Sequence, residues 1–339
     1  MSASASATVR VMSAEEIAAR SGGDVRRLIF PQRGSVYAER AMRLRQLAAG
    51  HAMGDYLVFI SMLAQAQQAA LDELARGSGW AVPDAQAIDR ASRDGRPPLA
   101  ATDWPRDERW HREVLQRIVG ELQRSVGPGP VADMLDRLAA ADEVHLERQA
   151  DALLNGVMAG LDLASAPVVA AALQVMWTHL ACQLGEAPLG LLDDAGVCPC
   201  CGSRPVASIT RSSGESTGQR FLHCSLCNVE WYLERVRCSH CGKTERVAYQ
   251  SLDRAGEGEA DSGERAAKAA VQVETCDDCG HYLKIVHTDR EPFVEPVADD
   301  LASLTLDLLV SETGLQRHGV NLMLLFGAPE STAAPPEPA

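Results

Sequence analysis

Eight of the ten cysteines in this 339-residue chain fall into four Cys-x-x-Cys pairs: Cys198/Cys201, Cys224/Cys227, Cys238/Cys241 and Cys276/Cys279. In such a pair a tight turn aims two thiolates at one ion. The residue after it often needs a positive φ, which Gly and Asn tolerate best. Three of the second cysteines are followed by glycine (Gly202, Gly242, Gly280) and the fourth by Asn228. Two pairs complete one tetrahedral site, so four pairs imply two. Sequential pairing is the simplest arrangement, with Cys198, Cys201, Cys224 and Cys227 around one ion and Cys238, Cys241, Cys276 and Cys279 around the other. Interleaved pairing stays open at this point. Thiolate sets of this kind suit zinc or iron.

Four protein ligands leave no position for water or substrate, so hydrolysis by an ion-activated water is not expected. What remains is structural stapling, one-electron transfer if the ion is iron, or presentation of a binding surface. Small ribbons bury little apolar area, so the ion is expected to supply much of their folding energy. Cys200, in the run CPCCG, is a spare thiol by this spacing. Cys182 sits in an apolar run and reads as a small buried hydrophobe. His111, His145 and His179 fall on expected helices without metal-ligand spacing, which points to packing or capping roles. His223, His240, His281 and His287 lie near the cysteine pairs. With eight cysteines already present, hydrogen bonds behind the ligands or solvent contacts suit them better than ligation. Trp231 and Tyr232 are expected to cover the small core of a ribbon. The chain shows no phosphate-cradling glycine loop, nucleophile elbow or paired-carboxylate pattern, so no catalytic residue is assigned.

The elements that hold these residues are legible in outline. Residues 13–192 read as an all-helical domain of five to seven helices, opened by a capping box at Ser13 and Glu16. Apolar stripes at helical spacing are Tyr37, Ala41, Leu44 and Ala48; Tyr56, Ile60, Leu63, Ala70 and Leu74; Trp110, Val114, Ile118 and Leu122; and Leu146, Ala150, Leu153, Val157 and Leu161. The run 167–184 is apolar on most sides, but it is short for a membrane span and carries Gln174 and His179. It is expected to be a buried core helix. Two cysteine-bearing β modules follow, 197–235 and 236–294, with strand-like runs at 229–236 and 271–275. A last helix is expected at 299–312 within a C-terminal segment 298–326, with Leu301, Leu304 and Leu308 on one face. Residues 1–12 and 327–339 are expected to be disordered, and 256–268 a mobile loop.

The formal charge of −14 disfavours non-specific nucleic-acid binding. Arg204, Arg211, Arg220, Arg235, Arg237, Lys243 and Arg246 give the cysteine region some basic character, which nearby acids and thiolates offset. The first residues lack a basic stretch followed by an apolar core. The expectation is therefore a protein of the reducing cytoplasm, where paired thiols hold metal more often than they form disulfides.

The stretches CPCCGSRPVAS, RFLHCSLCNVEWYLERVRCSHCG, ETCDDCGHYLKIV and VEPVADDLASLTLDLLV together resemble the FdhE family of formate dehydrogenase accessory proteins. The resemblance is dense from about residue 198 to 310 and includes residues between the cysteines. It implies a mainly α N-terminal domain followed by rubredoxin-like metal-binding β modules, with all eight paired cysteines as metal ligands and iron as the favoured ion. It also implies a non-enzymatic cytoplasmic role in maturing respiratory formate dehydrogenase, whose catalytic subunit would be the partner. The sequence reading keeps two alternatives: a rubredoxin-like electron carrier and a zinc-ribbon nucleic-acid binder. It leaves the oligomeric state open.

Overall fold

A computed structural model describes residues 27–77, 80–185, 189–190, 192–213, 216–251 and 269–325. The capping box at Ser13 and Glu16, the terminal segments 1–12 and 327–339 and the loop 256–268 lie outside them. Among the described residues, seven helices precede the cysteine region: α1 (Val36–Ala48), α2 (Gly54–Leu74), α3 (Ala85–Arg93), α4 (Gln116–Ser125), α5 (Pro130–Ala139), α6 (Glu143–Leu154) and α7 (Ala166–Leu184). A π-helical stretch, Trp110–Leu115, runs directly into α4. Local chemistry explains several of the starts. The carboxylates of Asp84 and Asp142 accept hydrogen bonds from the backbone N–H of Ala87 and His145, capping α3 and α6. A proline opens both α5 and α7, where its missing N–H costs nothing.

Every residue of α7 from Ala166 to Ala181 is buried, and α2, α6 and the π-helical stretch pack around it. By length and composition α7 passes as a membrane span, yet 83% of its apolar window is buried inside the protein. A helix apolar on all sides belongs in a core when neighbours enclose it. Most of the expected stripes are buried, with one correction. The fourth overruns its helix: α6 stops at Leu154, Gly156 turns the chain with φ +66, and Val157 is exposed.

The eight strands among the described residues form one sheet. They are β1 (Leu28–Ile29), β2 (Pro205–Ser213), β3 (Ser216–Cys224), β4 (Glu230–Tyr232), β5 (Val247–Gln250), β6 (Val271–Cys276), β7 (His281–His287) and β8 (Gln316–Arg317). Their order is β1-β4-β3-β2-β7-β6-β5, with β8 also paired to β7. The β2–β3 hairpin and the β6–β7 hairpin are each antiparallel. They join through a parallel pairing of β2 with β7, Ser208 opposite Ile285 and Thr210 opposite His287. The strand-like run 229–236 shortens to three residues and leaves Val236 exposed, whereas 271–275 is all strand.

The final helix is two helices, α8 (Pro296–Ala302) and α9 (Leu304–Ser311). Ser303 breaks them, its hydroxyl donating to the Asp299 carbonyl at 2.7 Å. The break turns Leu306 and Val310 inward and leaves Leu308 exposed, contrary to the single-face expectation. One large apolar cluster contains α7, its neighbours, the first β module and α8.

Candidate metal centres

Three of the four cysteine turns share one backbone hydrogen bond. The N–H of Gly202 donates to the Cys198 carbonyl at 2.8 Å, that of Gly242 to Cys238 at 3.0 Å, and that of Gly280 to Cys276 at 2.9 Å. Behind them, Cys198 N–H donates to Ser203 O, Cys238 N–H to Lys243 O and Cys224 N–H to Val229 O. The turns need a left-handed residue, and φ is +77 at Gly202, +73 at Gly242, +68 at Gly280 and +58 at Asn228. Asn228 is the one non-glycine residue with positive φ among the described residues. Asn tolerates that conformation better than other side chains.

The sulfurs gather sequentially into two groups of four, within 4.8 Å of one another in each. The closest approaches are Cys201 to Cys224 at 3.4 Å, Cys198 to Cys227 at 3.6 Å, Cys238 to Cys279 at 3.7 Å and Cys241 to Cys276 at 3.8 Å. Four sulfurs about 2.3 Å from one ion stand roughly 3.8 Å apart in a tetrahedron, so both groups have the dimensions of a tetrathiolate site. All ten cysteines are free thiols. Backbone N–H groups of Leu226 and Cys227 point at the Cys224 sulfur, and that of His240 at the Cys238 sulfur, each at 3.4 Å. Burial and neighbouring sulfurs push the thiols of Cys198 and Cys227 well above their ordinary range. Such a cluster gives up all of its protons only when a cation takes up the charge. The donor set therefore fits zinc or iron, and both groups can hold an ion.

The first group is wholly buried. The helical domain grips its backbone: Leu99 N–H donates to Cys200 O at 3.0 Å and Ala101 N–H to Cys201 O at 2.8 Å. The α7 side chains read the second turn. Gln174 donates to Ser225 O at 2.7 Å, and Thr178 accepts from the Asn228 amide at 2.8 Å. Arg40, fully buried on α1, donates to Asn228 Oδ1 at 2.7 Å and to Glu295 at 3.0 Å. His223 sits between Asn228 Oδ1 at 3.2 Å and Glu230 Oε1 at 3.1 Å, so it supports the turn from behind. Burial would raise the Glu230 pKa, but Arg211 and His223 outweigh it and hold the carboxyl at about 2. Trp231 is buried, with its indole N–H on Ala195 O at 2.9 Å.

Cys200 is fully buried but outside the four-sulfur group. Contact with Cys227 lowers its pKa, but burial and the neighbouring Cys201 and Cys224 sulfurs together outweigh it and raise the thiol above its ordinary range. Cys182 is half-buried and donates to Pro31 O at 3.5 Å.

The second group is open on one side: Cys238 and Cys276 are buried, Cys279 is partly exposed and Cys241 is exposed. Arg220, buried in β3, braces the loop that leads to Cys238 by donating to Arg237 O at 2.8 Å and Glu234 O at 3.2 Å. It also pairs with Glu274 at 2.7 Å. Against this group lie His240 and His281, stacked with ring centroids 3.8 Å apart, and His318, edge-on to His240 at 4.9 Å. His287 is elsewhere, bonded to Gln272 at 2.8 Å. His318 carried no sequence signal, since it follows the cysteines at no ligand spacing. Neither did Arg40, which looks like any charged residue on a helix.

The other sequence candidates take packing and polar roles. His111 lies against Trp110 at 5.3 Å, the backbone of His145 receives the α6 cap, and His179 lies between Arg33 and Gln183. Of the basic residues in the cysteine region, Arg211, Arg220, Arg237 and Lys243 are each paired to an acid.

Comparison with known proteins agrees with this architecture along its length. Family models for the FdhE N-terminal, central and C-terminal domains match residues 25–191, 197–235 and 236–324. FdhE homologues from Klebsiella pneumoniae subsp. pneumoniae and Yersinia enterocolitica are each 36% identical over 327 residues. The first alignment covers 95% of this chain and all of the homologue, the second 94% and 99%. The crystal structure of the FdhE protein from Pseudomonas aeruginosa superposes with a TM-score of 0.70 at 35% identity, covering 88% of this chain and 98% of that one. A helical bundle, one shared sheet and two four-sulfur groups, matched from end to end, place this chain in the FdhE family.

Proposed function

We propose that this protein is a cytoplasmic, non-enzymatic accessory factor for the formation of respiratory formate dehydrogenase. It binds the catalytic subunit of that enzyme before export. The observation that carries this reading is the pair of complete four-sulfur sites in a chain of the FdhE family. The eight ligands are Cys198, Cys201, Cys224, Cys227, Cys238, Cys241, Cys276 and Cys279. With all four positions of each ion filled by protein, neither site offers a place for substrate, and the sites serve to shape a surface. The first ion staples the sheet to the helical domain. The second stands at the protein surface, where a client can meet it. Iron is the ion favoured by family; bound there, it would supply a one-electron couple at that surface.

An anaerobic pull-down from formate-respiring cells, with metal analysis of the same sample, tests the proposal. The expected result is a stoichiometric complex with the formate dehydrogenase catalytic subunit and two ions per chain. Recovery of the protein without that subunit would reject it. A second reading, a rubredoxin-like electron carrier, is favoured by one feature, the solvent-exposed Cys241. Turnover between an electron donor and an acceptor, with no client bound, would establish that reading instead.

A further inference from the structure

A groove of about 410 Å³ lies between β1, the first turns of α1 and the loop that enters α8. Its volume falls within the range of about 300–1,000 Å³ usual for binding sites. We propose that it is a docking site for an extended segment of a partner protein in which apolar side chains alternate with lysine or arginine. The inference concerns the chemistry of that segment and holds whichever protein is the client.

Three properties of the groove select this occupant. The first is open apolar surface. Met42 and Phe293 line the groove and are 45% and 59% exposed. Phenylalanine and methionine are enriched at the centres of interfaces, and grouped exposed apolar residues mark such surfaces. Pro31, Pro292 and Pro296 fix the backbone of the walls, which lowers the ordering cost of binding. The second property is charge. Three carboxylates, Glu39, Glu230 and Glu295, and one guanidinium, Arg211, line the groove. Arg211 pairs with Glu230, and Arg40, beneath the lining, pairs with Glu295. Glu39 is left over: it is exposed, and among the described residues its carboxylate is in no ion pair. The chain as a whole carries −14. Both favour a cationic segment over an acidic one.

The third property is an open sheet edge. β1 ends the strand order, with β4 on one side and no strand on the other among the described residues. The Tyr232 N–H donates to Arg27 O at 2.9 Å, so Arg27 and Ile29 turn their backbone groups toward β4 and Leu28 turns its N–H and C=O outward. An extended segment can hydrogen-bond there and send alternate side chains over the face where Ile29 lines the groove. Beneath lies a continuous polar chain, from Glu230 to His223, Asn228, Arg40 and Glu295. It fixes the floor, so recognition falls to the rim residues Glu39, Met42 and Phe293.

The test uses the full chain, loaded anaerobically with metal, and three fluorescent twelve-residue peptides in which leucines at alternate positions are separated by lysine, by glutamine or by glutamate. Binding is followed by fluorescence anisotropy. The lysine peptide is expected to bind at least about tenfold more tightly than the glutamine peptide, and the glutamate peptide most weakly. Glu39→Arg and Phe293→Ser, both at exposed side chains, should each weaken the lysine peptide at least about tenfold and leave the thermal transition in place. Asp133→Arg, the same charge change at an exposed position of α5 outside the groove, should bind like the parent. Equal binding of the lysine and glutamate peptides, or groove variants that bind like the parent, would overturn the site. So would evidence of another occupant. Peptide binding that appears only in an Arg10→Glu variant would assign the groove to the chain's own Val9, Arg10, Val11 and Met12. A dimer dispersed by Phe293→Ser would assign it to a second copy.

Discussion

Cys198, Cys201, Cys224 and Cys227 are buried in the main apolar core, with Leu99 and Ala101 bonded to the carbonyls of Cys200 and Cys201 in the first turn and Gln174 and Thr178 bonded to the second turn. Cys238 and Cys276 are buried too, but in the smaller environment of the β5–β7 region, and Cys241 and Cys279 reach solvent. The turns themselves are alike in φ, and three of the four share the same glycine hydrogen bond. What differs is the surroundings. One site has been absorbed into the interface between the helices and the sheet, so its integrity and that of the fold are one quantity. The other lies at the edge of the β6–β7 hairpin, and its loss is expected to spare the core. The same motif is therefore buried between helices and sheet in one place and accessible in the other, and only its neighbours distinguish the two.

Cysteine replacement tests this contrast most severely. Cys201→Ser leaves an incomplete ligand set inside the core. It is expected to cost on the order of 5 kcal/mol or more, seen as loss of soluble protein or of the thermal transition. Cys241→Ser is expected to remove one ion and cost about 1–2 kcal/mol globally, with helical circular dichroism and the first ion retained. A chelator should likewise extract the second ion at least about tenfold faster than the first. Equal loss of both ions, or equal collapse of both variants, would show that burial does not separate the two sites.

A smaller effect probes the grip of α7. Gln174→Leu strands the buried Ser225 carbonyl and removes one of the two acceptors of the Gln67 amide. The expected cost is about 2 kcal/mol by denaturant unfolding, without change at the second centre. Loss of the second ion as well would show that the sheet transmits the damage.

The smallest effect compares turns directly. Gly202→Ala and Gly280→Ala each force a side chain into left-handed backbone, at about 1–2 kcal/mol. At Gly280 the new methyl meets nothing within 4 Å. At Gly202 it comes within 3.2 Å of Pro97 Cγ, on the segment that docks against the first centre. The first variant should therefore be the less stable one. Equal stabilities would mean that the docked segment yields freely.

Much of this was legible from the chain alone. The eight ligand candidates, the sequential grouping as the simplest arrangement, the special residue after each pair and the buried run around Gln174 all follow from local spacing. The π-helical start at Trp110 left the apolar stripe intact, so the stripe was readable even though its backbone geometry was not. Errors fell where a local pattern met a break. Val157 continues the periodicity of α6 but follows Gly156, and Leu308 lies beyond the interruption at Ser303. Gln174 looked like a reason to doubt a membrane span. Its bonds to Gln67 and Ser225 give it a different meaning.

A Cys-x-x-Cys turn closes over a few residues, so its amino acids and their backbone preferences suffice to specify it, and with it the four thiol pairs and their left-handed Gly or Asn. Whether a pair of turns ends up buried or exposed depends on partners far away in the chain. Arg40 reaches Asn228 across 188 positions, Thr178 reaches it across 50, and His318 arrives beside His240 through the pairing of β8 with β7. Packing and charge compensation over such separations exist only once the helices and the sheet have met. That is why the number of thiol sites was written in the sequence, while their difference, and the imidazole cluster beside one of them, came from the tertiary structure.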